Sequence, residues 1–464
     1  MHHIENTTFD EIEIGQSAQL VRTLRREDIE LFAIMSGDVN PAHLDEEFAQ
    51  SGRFQRVIGQ GMWGGALISA VLGTELPGPG TLYLNQSLSF RRPVGIGDTL
   101  TVRVTVREKH PEKKRVILDC ECVNQAGETV ILGEAEVIAP TKKVRRPKVS
   151  LPRVYLHEPG ARYKALIDAT KDLEPVRTAI VHPCDALSLS GALEASSQGL
   201  IIPILVGPRA KIEAAAVEAE CDLDGIEIVD TPHSHAAAEM AVSLVRQAKV
   251  EALMKGKLHT DELLAAVVNS AHGIRTERRL SHVYALDVPH YPKPLFITDA
   301  AINIYPTLDD KRDIVQNAIN LAHALGIDLP KVALLSAVET VTPKINSTVE
   351  AAALCKMADR GQISGGIIDG PLAFDNAVSP EAVKTKGLSS PVAGDADILV
   401  APDLEAGNMI AKQLIYLAGA DAAGVVLGAR VPIMLTSRAD NTLSRLASAA
   451  IVQLFVRRSS HAMG

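Results

Sequence analysis

Two rhythms of apolar and polar residues run along this chain, and they change near residue 150. Over about residues 5–140 the period is mostly two. Leu82, Leu84, Leu88 and Phe90 share one side of an extended segment. Leu100, Val102, Val104 and Val106 share one side of the next, with Thr101, Arg103, Thr105 and Arg107 opposite. Leu118, Cys120 and Cys122 repeat the pattern before a turn at Ala126-Gly127. Two helices break this rhythm. One carries Ile29, Phe32, Ala33 and Ser36 on one face and stops at Gly37. The other, Gly61 to Gly73, is apolar nearly all round and rich in small residues, so it should be buried.

From about residue 151 the pattern becomes strand–helix alternation. Apolar strands are expected at 179–181, 200–206, 226–229, 294–297, 332–335, 366–368, 397–400, 425–427 and 433–435. Helices are expected at 310–325, 349–358, 406–417 and 441–456. Repeated β–α units predict a parallel sheet with sites beyond the carboxyl ends of its strands. Residues 141–150 are basic and bracketed by Pro140 and Pro147, with no periodic apolar face, and are expected to form an extended linker. The domains are therefore 1–140, the linker, and 151–464. Inside the last, one subdomain spans about 151–285 plus 430–464 and the other about 286–429.

Composition narrows the function. At 464 residues the chain is too long for one ordinary domain. The net charge of −9 gives no basic field for nucleic acid, and 3% aromatics offer few stacking platforms. No run of about 18 apolar residues suggests a membrane span. The five cysteines show no paired spacing for a metal, so no metal site is expected and reduced thiols in the cytoplasm are.

Ser36-Gly37-Asp38-Val39-Asn40-Pro41-Ala42-His43 puts a carboxylate, an amide and an imidazole close together. Pro41 forbids continuation of the preceding helix, which puts Asp38 and His43 on a rigid loop. A carboxylate and an imidazole held together can share a water and move its proton. Equally, Asp38 can cap a turn while His43 makes a surface hydrogen bond.

The segments SGDVNPAHLDEEFA and GQGMWGGALISAVLGTELPGPGTLYLNQSLSFRRPVGIGDTL resemble the MaoC-like (R)-specific enoyl-CoA hydratases. The resemblance implies an α+β hot-dog fold that pairs through sheet edges. It implies that Asp38 and His43 add water to an enoyl-CoA and that Asn40 orients them. Gly61 would polarise the thioester carbonyl through its N–H, and Ser69 falls near the site. The family usually has His where this chain has Gln60, and Trp63 stands where a smaller aliphatic residue is common.

The segments LMKGKLHTDELL, FITDAAINIYPTLDDK, MADRGQISGGIIDGPLAFDNA, SPVAGDADILVAPDLEAGNMIAKQL and VVLGARVPIMLTSRAD resemble the phosphate acetyl/butyryltransferases. The wording looks closer to the butyryl branch. This implies an isocitrate-dehydrogenase-like α/β fold of two subdomains around a cleft, and a homo-oligomer. The implied substrates are acyl-CoA and inorganic phosphate or acyl phosphate, with no bound cofactor. Ser437 and Arg438 match the catalytic Ser-Arg pair. The family's catalytic Asp falls on Ser444, which leaves Asp440 as the nearest replacement base. The family's Arg after the His-Thr loop is absent, with Ala265 and Ala266 nearby and Arg275 as a substitute charge. Lys255, His259, Thr260 and Asn408 are expected anion or CoA contacts. The expected whole is a bifunctional acyl-CoA enzyme; the alternative makes the first domain a non-catalytic CoA-binding or oligomerising module.

Overall fold

The computed structural model describes residues 3–149, 151, 154, 156, 160–435 and 442–459. It divides into two compact units, Met1–Leu156 and His157–Gly464.

The first unit contains β1 (His3–Glu5), β2 (Ser17–Thr23), β3 (Leu82–Phe90), β4 (Thr99–His110), β5 (Arg115–Val123), β6 (Thr129–Ile138) and β7 (Arg145–Pro147). An antiparallel sheet in the order β2-β4-β5-β6-β3 is the hot-dog sheet the sequence implied. The Gly61–Thr74 helix packs on it, with Ile68, Val71 and Leu72 in the same core as Val102, Val104 and Leu118. Bare backbone is required for that fit, since a Cβ on Gly64 would lie 2.4 Å from Ile131 Cδ1. Burial pushes the Cys120 thiol up to about 11 and the Cys122 thiol up to about 12, so both are protonated.

Two expectations change here. Leu82, Leu84 and Phe90 are exposed, because β3 is the sheet's edge and a register shift between Tyr83 and Asn85 breaks its alternation. Within the basic segment, residues 142–147 are tied down rather than free. β7 pairs antiparallel with β1. Buried Asn6 donates to the Lys142 and Pro79 carbonyls and accepts from Val144 N–H, at 2.8–3.0 Å.

The second unit holds β8 (Val176–Val181), β9 (Ile201–Gly207), β10 (Glu227–Asp230), β11 (Ala252–Lys255), β12 (Ser281–Asp287), β13 (Leu295–Thr298), β14 (Lys331–Leu335), β15 (Ile367–Leu372), β16 (Ile398–Val400), β17 (Asp421–Leu427) and β18 (Ile433–Met434). They form one sheet in the order β10-β9-β8-β11-β18-β17-β12-β13-β16-β14-β15. Its ends are parallel, but β12 runs antiparallel to β13 and β17, and β17 antiparallel to β18. The reason is local. The β12–β13 and β17–β18 connections hold no helix, and a short connection can only reverse the chain. β11 and β12 were not foreseen as strands. A subdomain cut at residue 285 falls inside β12, which pairs with β17 from Ser281 to Asp287.

Candidate functional site

In the first unit the Arg26–Ser36 helix ends on Gly37, whose φ of 76° is the left-handed conformation that glycine adopts without strain. The residues after it hold one another. Ser36 Oγ donates to the Phe32 carbonyl at 2.6 Å, Asp38 N–H to Ser36 Oγ at 3.2 Å, and Asn40 N–H to Asp38 Oδ1 at 3.3 Å. Asn40 Oδ1 then accepts the Ala42 N–H at 3.1 Å and caps a helical turn, Pro41–Leu44. His43 therefore lies on a helical turn, not in a loop. Proline stops the helix before it but suits the first position of the next, where its missing N–H would have no partner.

His43 Nδ1 sits 2.7 Å from the Ile58 carbonyl. A carbonyl can only accept, so Nδ1 carries the hydrogen and neutral His43 presents a lone pair on Nε2. That Nε2 lies 3.9 Å from Asp38 Oδ2. The gap is too long for a direct bond and suits a water between two acceptors. The imidazole is 11% exposed and the carboxylate 44%, so the pair opens outward.

Ile58 also leads to Gly61, the first residue of its helix, where the first N–H groups have no intrahelical acceptor. Ser69 is exposed on the same helix, and no hydrogen bond ties it to the pair among the described residues. Gln60 is buried. Its Nε2 donates to the Ile29 carbonyl at 3.2 Å, and its Oε1 has no partner among the described residues. Trp63 is a core ring, 7% exposed.

In the second unit β11 and β18 are parallel neighbours, with Met254 opposite Met434. Being parallel, the two strands end on the same side of the sheet. Lys255, Thr260, Arg275 and Leu435 line one cleft of about 1210 Å³, with Ala301, Ile302 and Ile304 also on its wall. Gly256 lets the first loop pass beside β8, since a Cβ there would lie 2.7 Å from the Val181 and His182 carbonyls. Thr260 opens the Thr260–Val268 helix. His259 precedes it, exposed, and is not among the lining residues. Asn408 is turned away from the expected role as well. Its Nδ2 donates to the Ala300 carbonyl at 3.0 Å and braces the turn that ends in the cleft wall. Ser437, Arg438 and Asp440 lie outside the described residues. Ser444 is buried, so that position offers no exposed base.

Arg278, Arg279 and His282, none of them among the expected site residues, also line the cleft. Leu280, His282 and Tyr284 alternate toward the cleft, while Val283 and Ala285 enter the core. Burial pushes His282 down to about 4, so it is neutral at pH 7. Its ring stands edge-on to Tyr284 with centroids 4.4 Å apart, and its Nδ1 has no partner among the described residues. The signal in the sequence is the period-two alternation of SHVYALD, hidden by the polar His282 on the cleft-facing side.

Comparison with known proteins agrees with this geometry. The family described as phosphate acetyl/butaryl transferase matches residues 235–453, and the MaoC like domain matches residues 9–121. The phosphate acetyltransferase of Rhizobium meliloti is 62% identical over 64% of this chain and 94% of its own. The phosphate butyryltransferase of Clostridium acetobutylicum is 40% identical over 63% of this chain and 97% of its own. Of these two the acetyl enzyme is the more similar, against the butyryl leaning of the motif wording. A branched-chain phosphotransacylase from Enterococcus faecalis V583 is 33% identical, with a TM-score of 0.53 over 60% of this chain and 99% of that structure. The chain belongs to the phosphate acetyl/butyryl transferase family and carries a MaoC-like domain ahead of its transferase unit.

Proposed function

We propose that the second unit transfers a short acyl group between CoA and inorganic phosphate in its cleft. The observation that carries this is the meeting of Lys255, Thr260 and Arg275 at the carboxyl end of β11 and β18, in a chain of this family. A phosphate oxygen attacks the thioester carbonyl, the C–S bond breaks, and the thiolate leaves and takes a proton. Fixed cations hold the anions, and Ser437 and Arg438 follow in sequence just after β18 and Leu435, which lines the cleft. The test is phosphate-dependent release of free thiol from acetyl-, propionyl- and butyryl-CoA. Release with any of them is expected, and the ranking gives the chain length; none from a folded protein would refute the reading.

The first unit adds a hydratase on the same class of substrate. The Asp38–His43 pair binds a water whose oxygen bonds C3 of a 2-enoyl-CoA, and the proton it loses is returned to C2. Gly61 N–H supports the thioester oxygen at a helix N-terminus. Crotonyl-CoA hydration is the assay. One observation favours the alternative of a non-catalytic module: Gln60 fills the family's His position and turns inward to Ile29. Absence of hydration in the wild-type chain would decide for it.

Neither half requires a bound cofactor, because both reactions are polar chemistry on a thioester. CoA thioesters and phosphate as substrates, and free cysteines, fit a cytoplasmic enzyme. Among the described residues no helix is long and apolar enough to cross a membrane. The exposed apolar edge at β3 supports self-association through that edge.

A further inference from the structure

A chain of three side chains runs from the interior of the second unit to its cleft. Asp299, 3% exposed, accepts the N–H groups of Ala301, Ile302 and Asn303 at 2.9–3.1 Å. It also accepts Asn303 Nδ2. Asn303, 2% exposed, donates through the same Nδ2 to the Leu280 carbonyl at 2.7 Å. With its amide hydrogens committed to two fixed acceptors, Asn303 must present Oδ1 in the opposite direction. Arg279 Nε donates to that oxygen at 2.7 Å. The Arg279 backbone is fixed too. Its N–H donates to Asp313 at 2.9 Å and its carbonyl accepts Asn317 Nδ2 at 2.9 Å.

What remains of Arg279 is the outer edge of its guanidinium. Asp310 Oδ1 lies 3.6 Å from Nε, while its other oxygen caps a helix through Thr307. Neither Nη atom has a hydrogen bond or ion pair among the described residues, and the residue lines the cleft. A guanidinium anchored at Nε loses little entropy when its two Nη groups grip a planar or tetrahedral oxyanion.

We propose that Arg279 binds the phosphoryl group of the transferase substrate through Nη1 and Nη2, and that Asn303, held by Asp299, is the positioning residue that aims it. The ligand is a tetrahedral phosphoryl oxyanion, free phosphate or the head of an acyl phosphate. Arg279 thus supplies to the same cleft a cation of the kind missing where Ala265 and Ala266 stand. This inference rests on the transferase reading above. The 3′-phosphate of CoA offers the same chemistry, and the test separates the two sources.

Arg279→Gln in the full chain should raise the KM for phosphate about 10- to 100-fold, the effect of losing a charged hydrogen-bond pair. The KM for acyl-CoA should stay within about twofold, and the variant should still fold, because the side chain is 55% exposed, with at most a modest loss of stability from the donor removed at Asn303 Oδ1. Arg279→Lys should fall between. Asn303→Ala should shift the phosphate KM the same way by less, and the double variant should be no worse than Arg279→Gln alone. An unchanged phosphate KM in folded Arg279→Gln overturns the assignment. A rise in the acyl-CoA KM alone, absent with dephospho-CoA thioesters, reassigns Arg279 to the CoA phosphate and also overturns it. An additive double variant removes the positioning role of Asn303. Equilibrium dialysis with inorganic phosphate on wild type and Arg279→Gln reads the site directly, so an inactive wild type would refute the transferase and still test Arg279.

Discussion

Asp38 and His43 are five residues apart, and nearly every bond that shapes them is local. Ser36 to Phe32, Asp38 to Ser36, Asn40 to Asp38 and Ala42 to Asn40 each span two to four positions. Two tertiary bonds to Ile58, from His43 Nδ1 to its carbonyl and from its N–H to the Ala42 carbonyl, finish the site. The cleft of the second unit is built the other way. Arg279 is set by Asn303, Asp313 and Asn317, which lie 24, 34 and 38 residues away. A site made of short-range bonds has a readable motif. A site assembled across a sheet has only a neighbourhood, and that neighbourhood exists after folding.

The largest expected effect tests whether the two sites are separable. Asp38→Asn should cut crotonyl-CoA hydration by about 10²- to 10⁴-fold, the range for losing a general acid–base group. Phosphate-dependent CoA release should be unchanged; a parallel loss would show that the two chemistries are not independent.

Next comes a pH effect confined to the assembled site. Folded His282 stays neutral down to about 4, whereas the unfolded side chain takes a proton near its ordinary 6.5. The unfolded state then binds more protons in that window, so stability falls as pH drops from 6.5 toward 4 and levels off below. At about 1.4 kcal/mol per pH unit the total is about 3 kcal/mol. Calorimetry of His282→Phe should show a flatter acid limb than wild type; equal slopes would place the acid sensitivity elsewhere.

The smallest effect probes the local site. Asn40→Ala removes a cap and should cost about 1 kcal/mol. Hydration should fall with it, because the lost side-chain cap fixes the turn whose backbone N–H at position 40 holds Asp38 Oδ1. Lost hydration with unchanged melting would mean that Asn40 acts on substrate rather than on the turn.

Much of the fold was legible because its signals are periodic. Leu100, Val102, Val104 and Val106 alternate, and all four are buried. The helix stop at Gly37 followed from backbone freedom alone. Elsewhere periodicity misled. β3 looks apolar on one face, yet an edge position leaves its leucines uncovered. β12 looks polar because its cleft-facing side carries a histidine. The candidate residues divide in the same way. Lys255, Thr260 and Arg275 reach the cleft, while Asn408 has a similar composition signal and spends its amide on Ala300.

By itself, then, the sequence determined the two rhythms, the change between them, and the Asp38–His43 turn, because all three depend on neighbours within a few residues. The tertiary structure decided the reversal of β12 and β17 and the fastening of 142–147 to the first unit. It also decided which cations face the cleft. These are decided by which distant backbone carbonyls, amides and carboxylates come within about 3 Å of one another, and no spacing along the chain encodes that distance.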